Sequence, residues 1–218
     1  MRLGILGGTF NPIHFGHLRI AEEICEEMVL KKVLIMPGAQ PPHKNGKEIV
    51  PFRDRLNMAR IGAERSPDLE VIDIEGKRDG LSYSVETLKE IREQYEKDLD
   101  LYFIIGSDAF KEIRTWKEYE KLFDLTSFIV LERPGAPLSE LGFFIESLNL
   151  NFRESDTKDH FSRPSGKHIF LKNVTMLDIS STKIRNAIAC GKSVNFLIPE
   201  GVKQYIEKKG LYLINGIT

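Results

Sequence analysis

The chain has 218 residues, enough to bury one well-packed α/β core and too few for a second domain of similar size. Its 31 Lys and Arg nearly cancel its 32 Asp and Glu, so no global field would gather nucleic acid or an anionic membrane surface. Any anion must be held by a local site. No run of about 18 apolar residues exists to span a bilayer, and the opening Arg2-Leu3-Gly4-Ile5-Leu6 is interrupted too soon to read as a secretory signal. Cys25 and Cys190 match neither disulfide nor metal spacing and fit a reducing, cytoplasmic setting.

In chain order, short apolar runs alternate with amphipathic stretches. Strands are predicted at Arg2–Leu6, Lys32–Met36, Leu69–Ile74, Leu101–Ile105, Ser127–Leu131 and His168–Leu171. Helices are predicted at His17–Met28, Phe52–Glu64, Val85–Tyr95, Trp116–Phe123 and Leu138–Leu148. Leu18, Ala21, Cys25 and Met28 fall at helical spacing, which makes Cys25 a core residue. The run Leu101-Tyr102-Phe103-Ile104-Ile105 is apolar throughout, as a central parallel strand covered on both faces requires. Alternation of this kind predicts an α/β doubly wound parallel sheet with right-handed crossovers. Ligands of such sheets sit beyond the carboxyl ends of the strands, at the topological switch point.

Two loops stand out. Residues 37–47 carry turn formers and positive charge, including Lys44, while residues 151–167 are polar and long enough to expect partial disorder. The last helix is entered by Pro199 and closed by Gly210. One domain over residues 1–218 is expected, with a helical portion from about 179 packed onto it.

Chemistry concentrates at two places. The first strand runs through Gly7-Gly8-Thr9-Phe10-Asn11-Pro12-Ile13-His14-Phe15-Gly16-His17 into a helix. Gly7, Gly8 and Gly16 allow close backbone approach to a ligand, and the helix start offers free N–H groups to an anion. His14 and His17 can then reach one phosphate chain without adding a permanent charge. The glycine offsets are not those of the G-x-G-x-x-G fingerprint. Gly191-Lys192-Ser193 is no P-loop either, because Asn186 stands where its first glycine belongs. A zinc site would need further ligands at workable spacing.

The second place is Asp178-Ile179-Ser180-Ser181-Thr182-Lys183-Ile184-Arg185. Ser180 or Ser181 reads as an ordinary N-cap. Lys183 and Arg185 are then expected in the first turn, where the helix dipole disfavours cations unless an anion is bound there. A triphosphate held by N–H groups, serine hydroxyls and the Arg185 guanidinium satisfies the pattern.

The pair GGTFNPIHFGH and ISSTKIR resembles the HxGH nucleotidyltransferase superfamily, and within it the bacterial nicotinate-nucleotide adenylyltransferases. The likeness spans nearly the whole chain, including Pro41-Pro42-His43-Lys44, Leu81–Leu88, Phe103–Asp108, Trp116, Arg133-Pro134-Gly135 and Pro199–Tyr212. The resemblance implies a Rossmann-like fold of nucleotidyltransferase type. It implies that His14, His17, Arg185 and Lys44 act on the phosphates. Gly7, Gly8, Thr9, Phe10, Gly16, Gly106, Asp108, Ile179, Ser180 and Ser181 would form the ATP site. Tyr83, Ser84, Trp116, Lys117 and Arg133 would form the nicotinate mononucleotide site, with Trp116 on the pyridine ring and the Ser84 and Lys117 amides on its carboxylate. Asp108, just past a buried strand, can accept two ribose hydroxyls, with an N-cap as the alternative; without the resemblance Trp116 reads as core. The family usually has Asp where Asn11 stands, and often Thr at Ser84.

The implied reaction is in-line attack of the acceptor's 5′-phosphate on ATP, with Mg2+ carried on the ATP phosphates and no metal site built from side chains. A helix-terminal His17 implies fractional proton uptake on ATP binding. Expected partners are the two small-molecule substrates, with no nucleic acid, no membrane and self-association left open. Enzymes preferring nicotinamide mononucleotide or phosphopantetheine are the nearest alternatives.

Overall fold

The computed structural model describes residues 1–40, 49–78, 80–95 and 99–213. Six strands form a parallel sheet: β1 (Arg2–Gly8), β2 (Lys32–Pro37), β3 (Leu69–Val71), β4 (Asp100–Gly106), β5 (Ser127–Leu131) and β8 (His168–Lys172). Two short strands, β6 (Arg153–Glu154) and β7 (His160–Ser162), extend it antiparallel along the β8 edge. The order is β3-β2-β1-β4-β5-β8-β7-β6, so direction of winding reverses between β1 and β4. That crevice is the switch point.

Every central strand is apolar on both faces because both faces are covered. Leu3 and Ile5 of β1, Leu101, Phe103 and Ile105 of β4, and Phe128 and Val130 of β5 enter one buried cluster. Their neighbours Leu6, Tyr102, Ile104, Ile129 and Leu131 enter the other. Helices α3 (Ser84–Gln94), α4 (Ser107–Lys111), α5 (Tyr119–Leu125) and α6 (Leu141–Ser147) cover the first face. Helices α1 (Phe15–Glu27), α2 (Phe52–Ala63), α7 (Ser181–Ala189) and α8 (Glu200–Lys209) cover the second. Leu18, Ala21 and Cys25 are buried on α1 as their spacing predicts. Tyr205 of α8 accepts from Asn57 and donates to Asp54 (3.0 and 2.8 Å), which ties the C-terminal helix to α2. Among the described residues no helix is long and apolar enough to cross a membrane.

Four expectations need correction. The third strand ends at Val71, because Ile74 is buried by a 3-10 turn, Ile74–Lys77, rather than by strand pairing. The helix expected from Trp116 starts at Tyr119, since Glu118 takes a left-handed backbone (φ 49°) and Trp116 is extended. The stretch from Leu138 to Leu148 divides into a 3-10 turn (Leu138–Glu140) and α6. Residues 151–167 are ordered as a hairpin, held by Phe152 and Phe161, which bury into the core, and by Ser155 N–H on the His160 carbonyl at 2.8 Å. Strands of two and three residues are too short to show a period, so composition misled there.

Candidate active site

The loop leaving β1 at Gly8 and the turn leaving β4 at Gly106 open on the same side of the switch point. His14 is the N-cap of α1 and His17 the third residue inside it, so the helix begins two residues earlier than predicted. Their rings stack with centroids 3.6 Å apart, and His17 also meets the Phe10 ring edge-on at 4.9 Å. Gly16 permits this arrangement, because a Cβ there would come within 3.0 Å of His14 Nδ1. The His14 backbone N–H donates to His17 Nδ1 at 3.3 Å, which places the His17 proton on Nε2 and makes that atom a donor.

His14 is only 5% exposed, and among the described residues its Nδ1 is buried without a hydrogen-bond partner. Leaving such an atom unsatisfied costs about 1–3 kcal/mol, a cost usually met at ligand sites. Burial, with the Arg133 guanidinium adding to it, pulls the His14 pKa down to about 4. The ring is therefore neutral near pH 7.

The C-terminal motif meets this loop directly. Ser181 Oγ donates to the Pro12 carbonyl at 2.8 Å, and Arg185 Nη1 to the Asn11 carbonyl at 3.0 Å. Residues almost 175 apart in sequence thus share one wall. Ser180 caps α7, its Oγ accepting from Lys183 N–H at 3.2 Å, and Ile179 is half-buried beside it. The sequence predicts both cations of this helix at its start, and they do not both lie there. Lys183 pairs with Asp178 at 2.9 Å, so its cation is already met, and Arg185 stands in the second turn rather than the first. Its aim at the β1 loop is what marks it.

Gly106 caps α4, so Asp108 is not the N-cap; it sits exposed in the first turn. A side chain at Gly106 would collide with Asp108 and come within 3.0 Å of Arg133. The Arg133 charge also acts on His14, so the guanidinium lies within electrostatic reach of that ring. Ser107, which the sequence reading passed over, is fully buried; its Oγ donates to Ala136 O at 2.6 Å and accepts from Arg133 N–H at 3.0 Å. It fixes the Arg133-Pro134-Gly135 turn.

Tyr83, Ser84, Trp116 and Lys117 gather elsewhere, at the start of α3. Tyr83 is its N-cap and Ser84 its first residue. Lys117 Nζ lies 4.4 Å from the Tyr83 ring centroid and 2.5 Å from Glu86. Trp116 is half-buried and meets Phe103 of β4 edge-on at 6.1 Å. Lys44 lies outside the described residues. A hollow of about 760 Å³ on the outer side of α1, between Phe15, Ile61, Leu177 and Phe196, takes in neither histidine, nor Asp108, nor Arg185.

The cytidylyltransferase-like family pattern matches residues 5–187. A probable nicotinate-nucleotide adenylyltransferase of Desulfatibacillum aliphaticivorans is 45% identical over 219 residues, covering 98% of this chain and all of that one. The chain belongs to the nicotinate-nucleotide adenylyltransferase family. A probable nicotinate-nucleotide adenylyltransferase of Syntrophotalea carbinolica is 43% identical over 97% of both chains. Among solved structures, the nicotinic acid mononucleotide adenylyltransferase of Plasmodium falciparum complexed with NaAD superposes with a TM-score of 0.73 at 24% identity, covering 97% of each chain. At that identity the likeness carries the fold, a nucleotidyltransferase sheet with helices on both faces. Ser107 and the buried Arg55, to which the sequence assigned no role, left only one further trace. Arg55 is a charge at i, i+4 and i+8 spacing with Ala59 and Ala63, on the inward face of α2.

Proposed function

We propose that this chain transfers the adenylyl group of ATP to nicotinate mononucleotide, forming nicotinate adenine dinucleotide and pyrophosphate. The observation that carries the reading is the pair of hydrogen bonds from Ser181 and Arg185 to Pro12 and Asn11, which sets a guanidinium and a helix start beside two stacked imidazoles. These are donors suited to a polyphosphate. The acceptor's phosphate oxygen bonds to the α-phosphorus as the bond to the pyrophosphate oxygen breaks, so the protein needs no nucleophile. Its task is to align the two phosphates and to place donors where charge builds on the departing group. His17 Nε2–H and Arg185 serve there, with Lys44 a further candidate.

Asp108, exposed beside Gly106, suits the ribose hydroxyls of ATP, and Gly7 to Phe10 its nucleotide edge. A Mg2+ ion carried on the ATP phosphates would take most of its ligands from phosphate oxygens and water. When bound, it would neutralise charge on the leaving pyrophosphate.

For the acceptor, the α3 start offers the backbone amides of Ser84 and its neighbour, and the helix dipole favours a carboxylate over a neutral amide. Glu86 in the same turn would oppose this, but Lys117 pairs with it. Trp116 would stack on the pyridine ring and Tyr83 line the pocket, with Arg133 serving the acceptor phosphate. The names of the relatives favour the acid in the same way. Pyrophosphate release from ATP is to be measured with nicotinate mononucleotide, its amide analogue and phosphopantetheine. The acid is expected to give the highest kcat/KM. Release with phosphopantetheine alone would overturn the assignment.

A further inference from the structure

Arg55, in the first turns of α2, is among the largest fully buried side chains, 1% exposed, yet the mechanism above does not use it. All of its hydrogen bonds go to backbone carbonyls. Nε donates to Val50 O at 3.1 Å, Nη1 to Thr9 O at 2.8 Å and to Gly38 O at 2.6 Å, and Nη2 to Ala39 O at 3.0 Å. Four of its five N–H groups are thereby spent on three separate stretches of chain. Burial disfavours its charge, and among the described residues no carboxylate pairs with it directly, although the nearby Glu75 carboxylate supports the cation through space. A buried cation is costly to keep unless such bonds repay it.

Peptide planarity converts these carbonyl bonds into amide directions. In a trans peptide the C=O and the following N–H point opposite ways. Where Arg55 draws the Gly38 carbonyl one way, the Ala39 N–H points the other, and it donates to Glu75 Oε2 at 3.2 Å. Where it draws the Ala39 carbonyl, the Gln40 N–H donates to Ser82 Oγ at 3.2 Å. Two successive peptide planes after β2 are thus gripped from both sides. The third plane, Thr9–Phe10, is held by Arg55 through the Thr9 carbonyl, and its N–H faces away from the guanidinium. Phe10 has φ 47°, a backbone region a bulky residue occupies only when its surroundings hold it.

We propose that Arg55 is a positioning residue for adenylyl transfer: it sets the orientation of the Thr9–Phe10 peptide in the nucleotide loop and braces that loop against the strand exit at Gly38 and Ala39. This rests on the functional reading above, because the loop matters for turnover only if it lies along the nucleotide. Glu75 is the opposing jaw. It holds Ala39 N–H with one oxygen and accepts from Thr87 Oγ1 of α3 with the other at 3.0 Å, so the brace extends to the helix that begins at Ser84.

The test compares the full-length wild type with Arg55→Lys and Arg55→Gln at a temperature where circular dichroism shows all three folded. Lysine keeps the charge and most of the length but has one nitrogen, which cannot span three stretches of chain. Expected is a fall of about tenfold or more in kcat/KM for ATP per folded molecule in both variants. A weakened affinity for a non-hydrolysable ATP analogue and faster amide exchange at Ala39 and Gln40 should accompany it. Should Arg55→Gln fail to fold, Arg55→Lys alone decides. A lowered melting temperature with kcat/KM per folded molecule unchanged would mean a merely structural role and would overturn the proposal. Were the wild type itself inactive with ATP and nicotinate mononucleotide, the functional reading would fall. The brace would then be judged by exchange alone, and unchanged protection in both variants would sink it.

Discussion

The two halves of the cleft are built differently. On the ATP side the wall consists of backbone pinned by distant side chains: Arg185 and Ser181 on the carbonyls of Asn11 and Pro12, and Arg55 on that of Thr9. His14 and Asn11 are buried there, and Tyr212 from the C-terminal stretch donates to Asn11 Oδ1 at 2.8 Å. On the acceptor side the groups are half-buried or exposed, and their contacts are between side chains, as Lys117 with Glu86 and with the face of Tyr83. Main-chain contacts of the first kind fix positions before any ligand arrives, while exposed ion pairs are individually weak and easily exchanged. On the assignment proposed above, the comparison teaches that triphosphate handling would be preorganised, whereas acceptor recognition would combine the helix-start amides of α3 with side chains free to adjust.

If that is right, substitutions on the ATP side should damage turnover most. His17→Ala is expected to lower kcat by about a hundredfold, the usual size for one preorganised donor, with the far-ultraviolet spectrum unchanged. Near-normal pyrophosphate release would remove His17 from the reacting centre. Arg185→Ala is expected to raise the KM for ATP by roughly tenfold or more, a charge-assisted bond being lost, while the acceptor KM stays close to wild type. An unaltered ATP dependence would separate the serine–arginine helix from the triphosphate.

Trp116→Ala sharpens the contrast from the other side. It should raise the acceptor KM about tenfold, the lower range for a lost aromatic–base stack, and leave the ATP KM alone. Equal effects on both substrates would mean that Trp116 acts as core.

The smallest effect concerns pH. His14 has its folded pKa lowered to about 4 from 6.5, so the unfolded chain takes up a proton first as pH falls. The ring costs no stability above pH 6.5, and a penalty grows from there down to pH 4, reaching on the order of 3 kcal/mol. Denaturant midpoints of His14→Gln should therefore fall less steeply over that window than those of wild type. Parallel curves would show that His14 is not held neutral by burial. Because bound triphosphate would favour the imidazolium of the helix-terminal His17, ATP binding should also draw in a fraction of a proton, visible as buffer-dependent heats in calorimetry.

Much of this was legible in the sequence, for reasons that are physical. Strands buried on both faces carry near-continuous apolar runs, so they were found: Ser127–Leu131, apolar after its buried Ser127, has the limits expected, and β1, β2 and β4 extend one or two residues beyond theirs. The β1 loop and the ISSTKIR helix were legible because glycine spacing and helix caps are local chemistry. Their convergence was not local, and only the resemblance supplied it. Arg185 was selected for a partly mistaken reason, since it stands in the second turn of α7, beyond the helix start where a cation was argued to be unfavourable. The hairpin at residues 153–162 was missed because two-residue strands carry no period. Arg55 and Ser107 were missed because what matters about them is which distant carbonyl they reach, a property no spacing encodes.

One measurement tests the shared ATP wall most directly: a double-mutant cycle between His17→Ala and Arg185→Ala, read as kcat/KM for ATP. Two groups gripping one triphosphate should be coupled, so the double variant is predicted to lose at least threefold less than the product of the single losses. Strict multiplication of the two losses would mean that the imidazole and the guanidinium serve different sites.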